Sequence, residues 1–350
     1  MPAKSRQYQY ELDIYRIIGA LGIVLFHYGF RGNAAGIANM DFPALAGVGK
    51  YGYCGIYLFL ILSGYTVTLT SLNKTFGEFV ISRITRLYPL WWIAVSITAL
   101  LTVCWGGQIY SVNLKQYFWN MTMLSGFINV KSIDGVYWFV YVIVKFYMIF
   151  SLVLLLKRPH LLKILAPVWL LIAFVTFYFK IPKLGFFVLP EHACYIIAGI
   201  YLCYIRKEGW SGYNAIMLIL AFLNSLYVAI SYGTKMQGIY HTTFSLYIIT
   251  AIVVLIFLLF LVSSIKEFHY RNHNVLKLLG AATFALYLLH QRIGFMVFSK
   301  YGSAENKGIL LAGLIVAMIV AALLLVRFAE PFIRNRLTIA LSRISKRNKN

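Results

Sequence analysis

Windows of about 20 apolar residues follow one another along most of this chain, each long enough to cross a ~30 Å hydrocarbon core as an α-helix. Lipid offers no hydrogen-bond partner to backbone N–H and C=O groups, so such windows must satisfy their own backbone, which helices do. The expected fold is therefore all-α: a polytopic membrane protein of about ten transmembrane helices. Charged residues make up 12% of the chain against about 25% for a typical soluble domain, which argues against a large soluble helical protein. The spans are expected near 13–30, 53–72, 86–104, 136–156, 162–179, 187–205, 212–231, 242–264, 276–299 and 309–329, forming one unit over 1–335.

Between the third and fourth spans, residues 105–135 contain "QYFWNMTMLSGFIN", too short and polar for a full crossing. An interfacial or re-entrant piece is expected there. Lys and Arg are about twice as numerous on the side that holds Lys4, Arg6, Arg83, Arg271 and the C-terminus as on the other, which places both termini in the cytoplasm. Residues 336–350 form a basic cytoplasmic tail suited to anionic lipid headgroups. The net charge of +22 is spread over many short loops without a groove-reading motif, so nucleic acid is not an expected partner. The first span resembles a signal peptide but is interrupted by Glu11, Asp13 and Arg16, and is expected to stay uncleaved. The four cysteines show no CxxC and no histidine cluster, so they read as packing residues, and no metal site is expected.

The first span, "YRIIGALGIVLFHY", carries Arg16 and His27 in an otherwise apolar helix. Eleven residues at 100° each end about 20° past three full turns, so the two side chains share a face, about 16 Å apart along the axis. One face thereby offers a cation near the inner surface and a titratable base deeper in the membrane. Each also has a plainer reading, Arg16 as a positive-inside anchor and His27 as a hydrogen-bonded core residue. Arg83 and Arg86 lie three apart on one helix face, also on the inner side, where guanidinium groups suit phosphate. Lys145 sits inside the fourth span, facing either a cavity or the bundle interior.

These stretches carry a resemblance. Arg16 to His27, "FLILSGY" in the second span, "RITRLYP" at the third, "TFALYLLHQ" in the ninth and "FAEPFIRN" closing the last resemble, in that order, the acyltransferase-3 family of membrane acyltransferases. The chain differs where many relatives are acidic: Tyr57 stands in the second span, and Ile143 and Val144 precede Lys145.

The resemblance implies a bacterial inner-membrane protein that moves an acyl group, usually acetyl, from acyl-CoA to a hydroxyl of a cell-surface glycan or lipid-linked glycan. Acetyl-CoA or another acyl-CoA would be a substrate, with no permanently bound cofactor. Arg16, Arg83 and Arg86 would hold the CoA phosphates, and His27 would be the general base, with a covalent acyl-histidine as the other route. Ser63 and Tyr65 are candidates for contacting the thioester, although "SGY" also reads as a close helix contact. His290, at a depth close to that of His27 by helical rise, either lines the same chamber or is a core residue. Trp138, Glu191 and His192 are candidates for the acceptor sugar, with Trp138 equally an interface-belt residue. Glu330 is expected to pair with a nearby arginine. A transporter or flippase for a glycolipid or acylated precursor is the alternative, although no internal repeat of the kind common in transporters is evident.

Overall fold

The computed structural model describes residues 8–38, 40–107, 109–268 and 273–347. Lys4, Arg6 and Arg271 of the charge asymmetry and residues 348–350 of the basic tail lie outside the described residues. Among the described residues there is no strand, and ten helical runs are long and apolar enough to cross a membrane. In chain order the main helices are α1 (Tyr10–Phe26), α2 (Gly55–Ser71), α3 (Phe76–Trp105), the short α4 (Leu114–Met121) and α5 (Tyr137–Leu155). They continue as α6 (Leu161–Tyr178), α7 (Ala193–Glu208), α8 (Gly212–Tyr240), α9 (Leu246–Ile265), α10 (Asn274–Tyr301), α11 (Lys307–Leu324) and α12 (Glu330–Arg347). A π-helical turn, His27–Arg31, prolongs α1, and another, Leu325–Ala329, joins α11 to α12 in one run that carries most of the basic tail.

Hydropathy locates the helices but not all their ends. α3 begins ten residues before the expected span, because Thr75 and Glu78 close a capping box. The Thr75 hydroxyl accepts from the Glu78 N–H at 3.3 Å, and the Glu78 carboxylate accepts from the Thr75 N–H at 2.9 Å. The expected sixth span is two pieces, the short helix Pro182–Val188 and α7. Leu189, in the left-handed region at φ 56°, ends the first piece, and Pro190 has no N–H with which to continue it.

Residues 105–135 fold against α3 rather than standing free. The Trp91, Trp92 and Tyr88 side chains of α3 donate to the carbonyls of Asn120, Met121 and Thr122 at 2.7, 3.1 and 2.8 Å. These carbonyls lie at the C-terminal end of α4, where that of Asn120 also accepts from the Met123 N–H. The buried Asn120 amide in turn donates to the Lys131 carbonyl and accepts from the Ile133 N–H, closing the segment on itself.

α7 is buried along its whole length from Ala193 to Ile205, and α1, α2 and α10 are mostly interior. α6, α8, α9 and α11 turn Leu171, Ile219, Leu255 and Val316 outward, as lipid-facing helices do. Two sets of glycines set the inner contacts. A Cβ on Gly64 of α2 would stand 2.0 Å from the Ile196 carbonyl oxygen, and one on Gly199 of α7 would stand 2.1 Å from that of Ile61. The "SGY" segment is thus where two backbones touch. α10 lies along α1 in the same way: a Cβ on Gly280 would meet Asp13 and one on Gly294 would meet the Tyr28 ring at 2.2 Å. Asp13 opposite Gly280 and Tyr28 opposite Gly294 also fix the direction, so α1 and α10 run parallel.

Replacing Gly64 by Ala forces α2 and α7 apart, and overpacking of this kind typically costs about 1–3 kcal/mol. The expected outcome is a lower thermal unfolding midpoint in lipid nanodiscs for Gly64→Ala. Gly77→Ala, where a Cβ meets nothing within 4 Å, should leave the midpoint unchanged or slightly raised.

Candidate active site

Polar side chains gather at two levels of the α1–α10 pair. At the face where both helices begin, Arg16 pairs with Asp13, one turn earlier on α1. The other Asp13 oxygen accepts from the Tyr8 hydroxyl at 2.7 Å. Burial, reinforced by the neighbouring Asp13 carboxylate, pushes the Tyr8 hydroxyl up to about 12, so it stays protonated and donating. Asp13 is 1% exposed, whereas the Arg16 side chain keeps 21% of its surface open.

Arg86, exposed near the start of α3, is close enough to act electrostatically on both Arg16 and Glu330. Glu330 itself lies 3.7 Å from Arg334, an arginine pair as expected from the sequence. Arg16 and Arg86 thus stand near one another at this face, with Asp13 and Glu330 as neighbouring carboxylates. Arg83 is engaged elsewhere. Its guanidinium stacks between Phe79 and Tyr147 and donates to Ser71 at 3.3 Å, tying α3 to the end of α2 and to α5. Tyr65 reaches the same end of the bundle and exchanges hydrogen bonds with Gln9, while the Ser63 hydroxyl donates to the Phe59 carbonyl of its own helix.

At the far end of α1 the His27 ring lies 5.0 Å from that of His290, edge to face. His27 is 7% exposed and His290 is fully buried. The Tyr28 hydroxyl donates to the His290 carbonyl at 2.6 Å, which holds the two helices together beside the rings. Sequence reasoning passed over Arg31, one turn beyond His27. It contacts His27 Nδ1 at 3.4 Å, donates to Gln291 Oε1 at 2.8 Å and donates through Nε to the Tyr240 hydroxyl at 3.1 Å. The i, i+4 spacing of His27 and Arg31 was the available signal. No signal in the chain ties Arg31 to Gln291 or Tyr240.

Asp134, also missed, is fully buried against α10. Its carboxylate accepts from the Val136 N–H at 3.1 Å and from the Arg292 N–H at 2.8 Å, linking the start of α5 to the residues after His290. Burial outweighs these bonds and raises its pKa to about 6.

Trp138, Glu191 and His192 line one cavity of about 260 Å³, together with Tyr53, Tyr57, Tyr232 and Lys235. Trp138 and His192 place their rings 5.6 Å apart. Tyr53 in that wall packs on Phe26, which in turn packs edge-on to His27, so the cavity and the histidine pair are separated by two aromatic rings. Lys145 sits outside it, with its ammonium 3.7 Å from the centre of the Phe186 ring and, among the described residues, no salt bridge to a carboxylate. A larger open groove of about 800 Å³ runs along α3 and α4 past Ser96, Val103 and Lys115 and contains none of the candidate residues.

A family model described as an acyltransferase domain matches residues 9–327, from the start of α1 to the π-helical turn after α11. No curated protein and no solved structure matches the chain.

The Asp134 carboxyl yields a pH test with a defined sign. Its folded pKa, about 6, lies above the ordinary carboxylate value. Its favourable contribution is therefore complete below about pH 4 and is lost as pH rises through 6. Lowering the pH from 7 to 5 should stabilise the wild type by about 1 kcal/mol relative to Asp134→Asn, read from denaturation midpoints of the two proteins side by side.

Proposed function

The chain belongs to the acyltransferase-3 family of membrane acyltransferases, and on that premise we propose that it is an O-acyltransferase working across the bilayer. The donor is acyl-CoA, most simply acetyl-CoA, presented from the cytoplasm at the face where α1 and α10 begin. The acceptor is a hydroxyl of a glycan or lipid-linked glycan on the other side of a bacterial inner membrane, with both termini cytoplasmic. Transfer of an acyl group between two substrates needs no permanently bound cofactor.

The observation that carries this reading is the arrangement on α1. Arg16, with Arg86 close enough to act on it electrostatically, places two guanidinium groups at one level. Three helical turns on, His27 stands 5.0 Å from a second imidazole. Coenzyme A has the matching layout, with phosphates at one end and the thioester at the other end of a flexible arm. Guanidinium groups bind phosphate through paired hydrogen bonds. The imidazole is the side chain whose ordinary pKa suits proton transfer near neutrality, and the His27–His290 pair takes the proton of the attacking hydroxyl. The cavity lined by Trp138, Glu191 and His192 offers the aromatic face and hydrogen-bonding groups a sugar ring needs, and the Tyr53 and Phe26 rings must move aside for a hydroxyl there to reach the histidine pair. Tyr65, bonded to Gln9 just before α1, joins the donor site, whereas Arg83 braces α3 against α2 and α5 and bears on the donor only by holding the helix of Arg86.

Acetyl-CoA binding and thioester turnover by the purified protein in lipid nanodiscs test the proposal. Arg16→Gln should weaken acetyl-CoA binding about tenfold or more, the effect of about 1.4 kcal/mol of lost phosphate contact. His27→Ala should bind acetyl-CoA as the wild type does and turn it over ~10²–10⁴-fold more slowly. A wild type that binds no acetyl-CoA would remove the donor from the proposal.

A further inference from the structure

A neutral imidazole has one N–H and one lone pair, and its neighbours decide which nitrogen carries which. A guanidinium only donates, so Arg31 Nη1 at 3.4 Å makes His27 Nδ1 the lone-pair nitrogen and leaves the proton on Nε2. Arg31 is held in place here, because its Nη1 also donates to Gln291 and its Nε donates to Tyr240. Backbone carbonyls only accept. The carbonyls of Tyr287 and Leu286, at 2.8 and 3.2 Å, therefore put the proton of His290 on Nδ1 and the lone pair on Nε2. The two rings are opposite tautomers.

His290 Nε2 is moreover buried without a hydrogen-bond partner. A buried acceptor left unmet is destabilising by about 1–3 kcal/mol, so its retention points to use. Nδ1 is bonded back to α10, and the rings packed on His290 from α1 are His27 and Tyr28. Tyr28 does not occupy that nitrogen, since its hydroxyl donates to the His290 carbonyl.

We infer that the two histidines divide the chemistry: His290 Nε2 accepts the proton of the attacking hydroxyl, and the His27 Nε2–H donates a hydrogen bond to the thioester oxygen. The division rests on the acyl-transfer reading. The hydroxyl oxygen attacks the thioester carbon as its proton passes to His290 Nε2. The carbonyl electron pair moves onto oxygen, where His27 holds it by a hydrogen bond. Collapse reforms the carbonyl, breaks the C–S bond and releases the CoA thiolate, which takes the proton from His290. The products are the ester and CoA, and both imidazoles return to their starting tautomers.

A glutamine side chain separates the two roles, because its amide supplies an N–H near the imidazole Nε2 position but no base. The assay is acetyl-CoA cleavage in nanodiscs with water as the acceptor. His27→Gln should stay within about tenfold of the wild type, while His290→Gln should lose ~10²-fold or more with acetyl-CoA binding unchanged. The reverse order overturns the inference. Solid-state 15N NMR of the histidine-labelled wild type gives a second reading that involves no variant. His290 should show a protonated Nδ1 and bare Nε2, with His27 the opposite. A His27 with Nδ1 protonated, or two rings in one tautomer, overturns the inference whatever the rates. A wild type that neither binds nor cleaves acetyl-CoA would instead sink the acyl-transfer reading, and the tautomers would still be read.

Discussion

The parallel contact between α1 and α10 is the constraint on which the site depends. Helices in lipid gain little from burying apolar surface against one another, so close backbone approach and interhelical hydrogen bonds decide their register. Here Gly280 admits Asp13 and Gly294 admits the Tyr28 ring, two contacts about four turns apart that leave no freedom to slide. The register puts His290 beside His27 and brings Asp13, the partner of Arg16, against α10. A slip of one turn on either helix would separate both pairs. The Tyr28 hydroxyl bond to the His290 carbonyl fastens the contact at the level of the rings.

Charge is distributed along this pair in a way that differs between its two levels. Near the beginning of α1, Arg16 has a carboxylate partner and Arg86 adds a second cation nearby. Around the histidines, Arg31 is held by neutral groups: an amide oxygen, a tyrosine hydroxyl and an imidazole nitrogen. A carboxylate near that level, Asp134, bonds to backbone N–H groups of Val136 and Arg292 instead of to a guanidinium. Burial raises its pKa to about 6, so it is mostly ionised at pH 7 and loses its charge only as the pH falls below that. Intramembrane cations are costly and are usually retained for a purpose. In the proposed account, Arg31 serves to fix the state of His27 and Arg16 to meet an anion.

Much of this was legible in the sequence because lipid leaves hydropathy little ambiguity. The spans follow from apolar windows, and the shared face of Arg16 and His27 follows from helical periodicity alone. The start of α3 was missed because its first turns are polar, although the Thr75–Glu78 box that caps it is a local signal. Contacts between distant segments were the illegible part. Helical rise matched His290 to His27 in depth, but nothing in one dimension gives the lateral distance of 5.0 Å. Arg83 and Arg86 look equivalent at three residues apart. The structure separates them because Phe79 and Tyr147 take up the first and leave the second exposed. Lys145, which charge pairing alone would assign to a carboxylate, rests on the Phe186 ring.

The most direct test of a donor laid along α1 is a cryo-EM structure in lipid with the non-cleavable ketone analogue of acetyl-CoA, in which methylene replaces sulfur. The expected density has the nucleotide phosphates at Arg16 and Arg86 and the ketone carbon beside His27 and His290. Nucleotide density at the opposite face, or a ketone remote from both imidazoles, would contradict it.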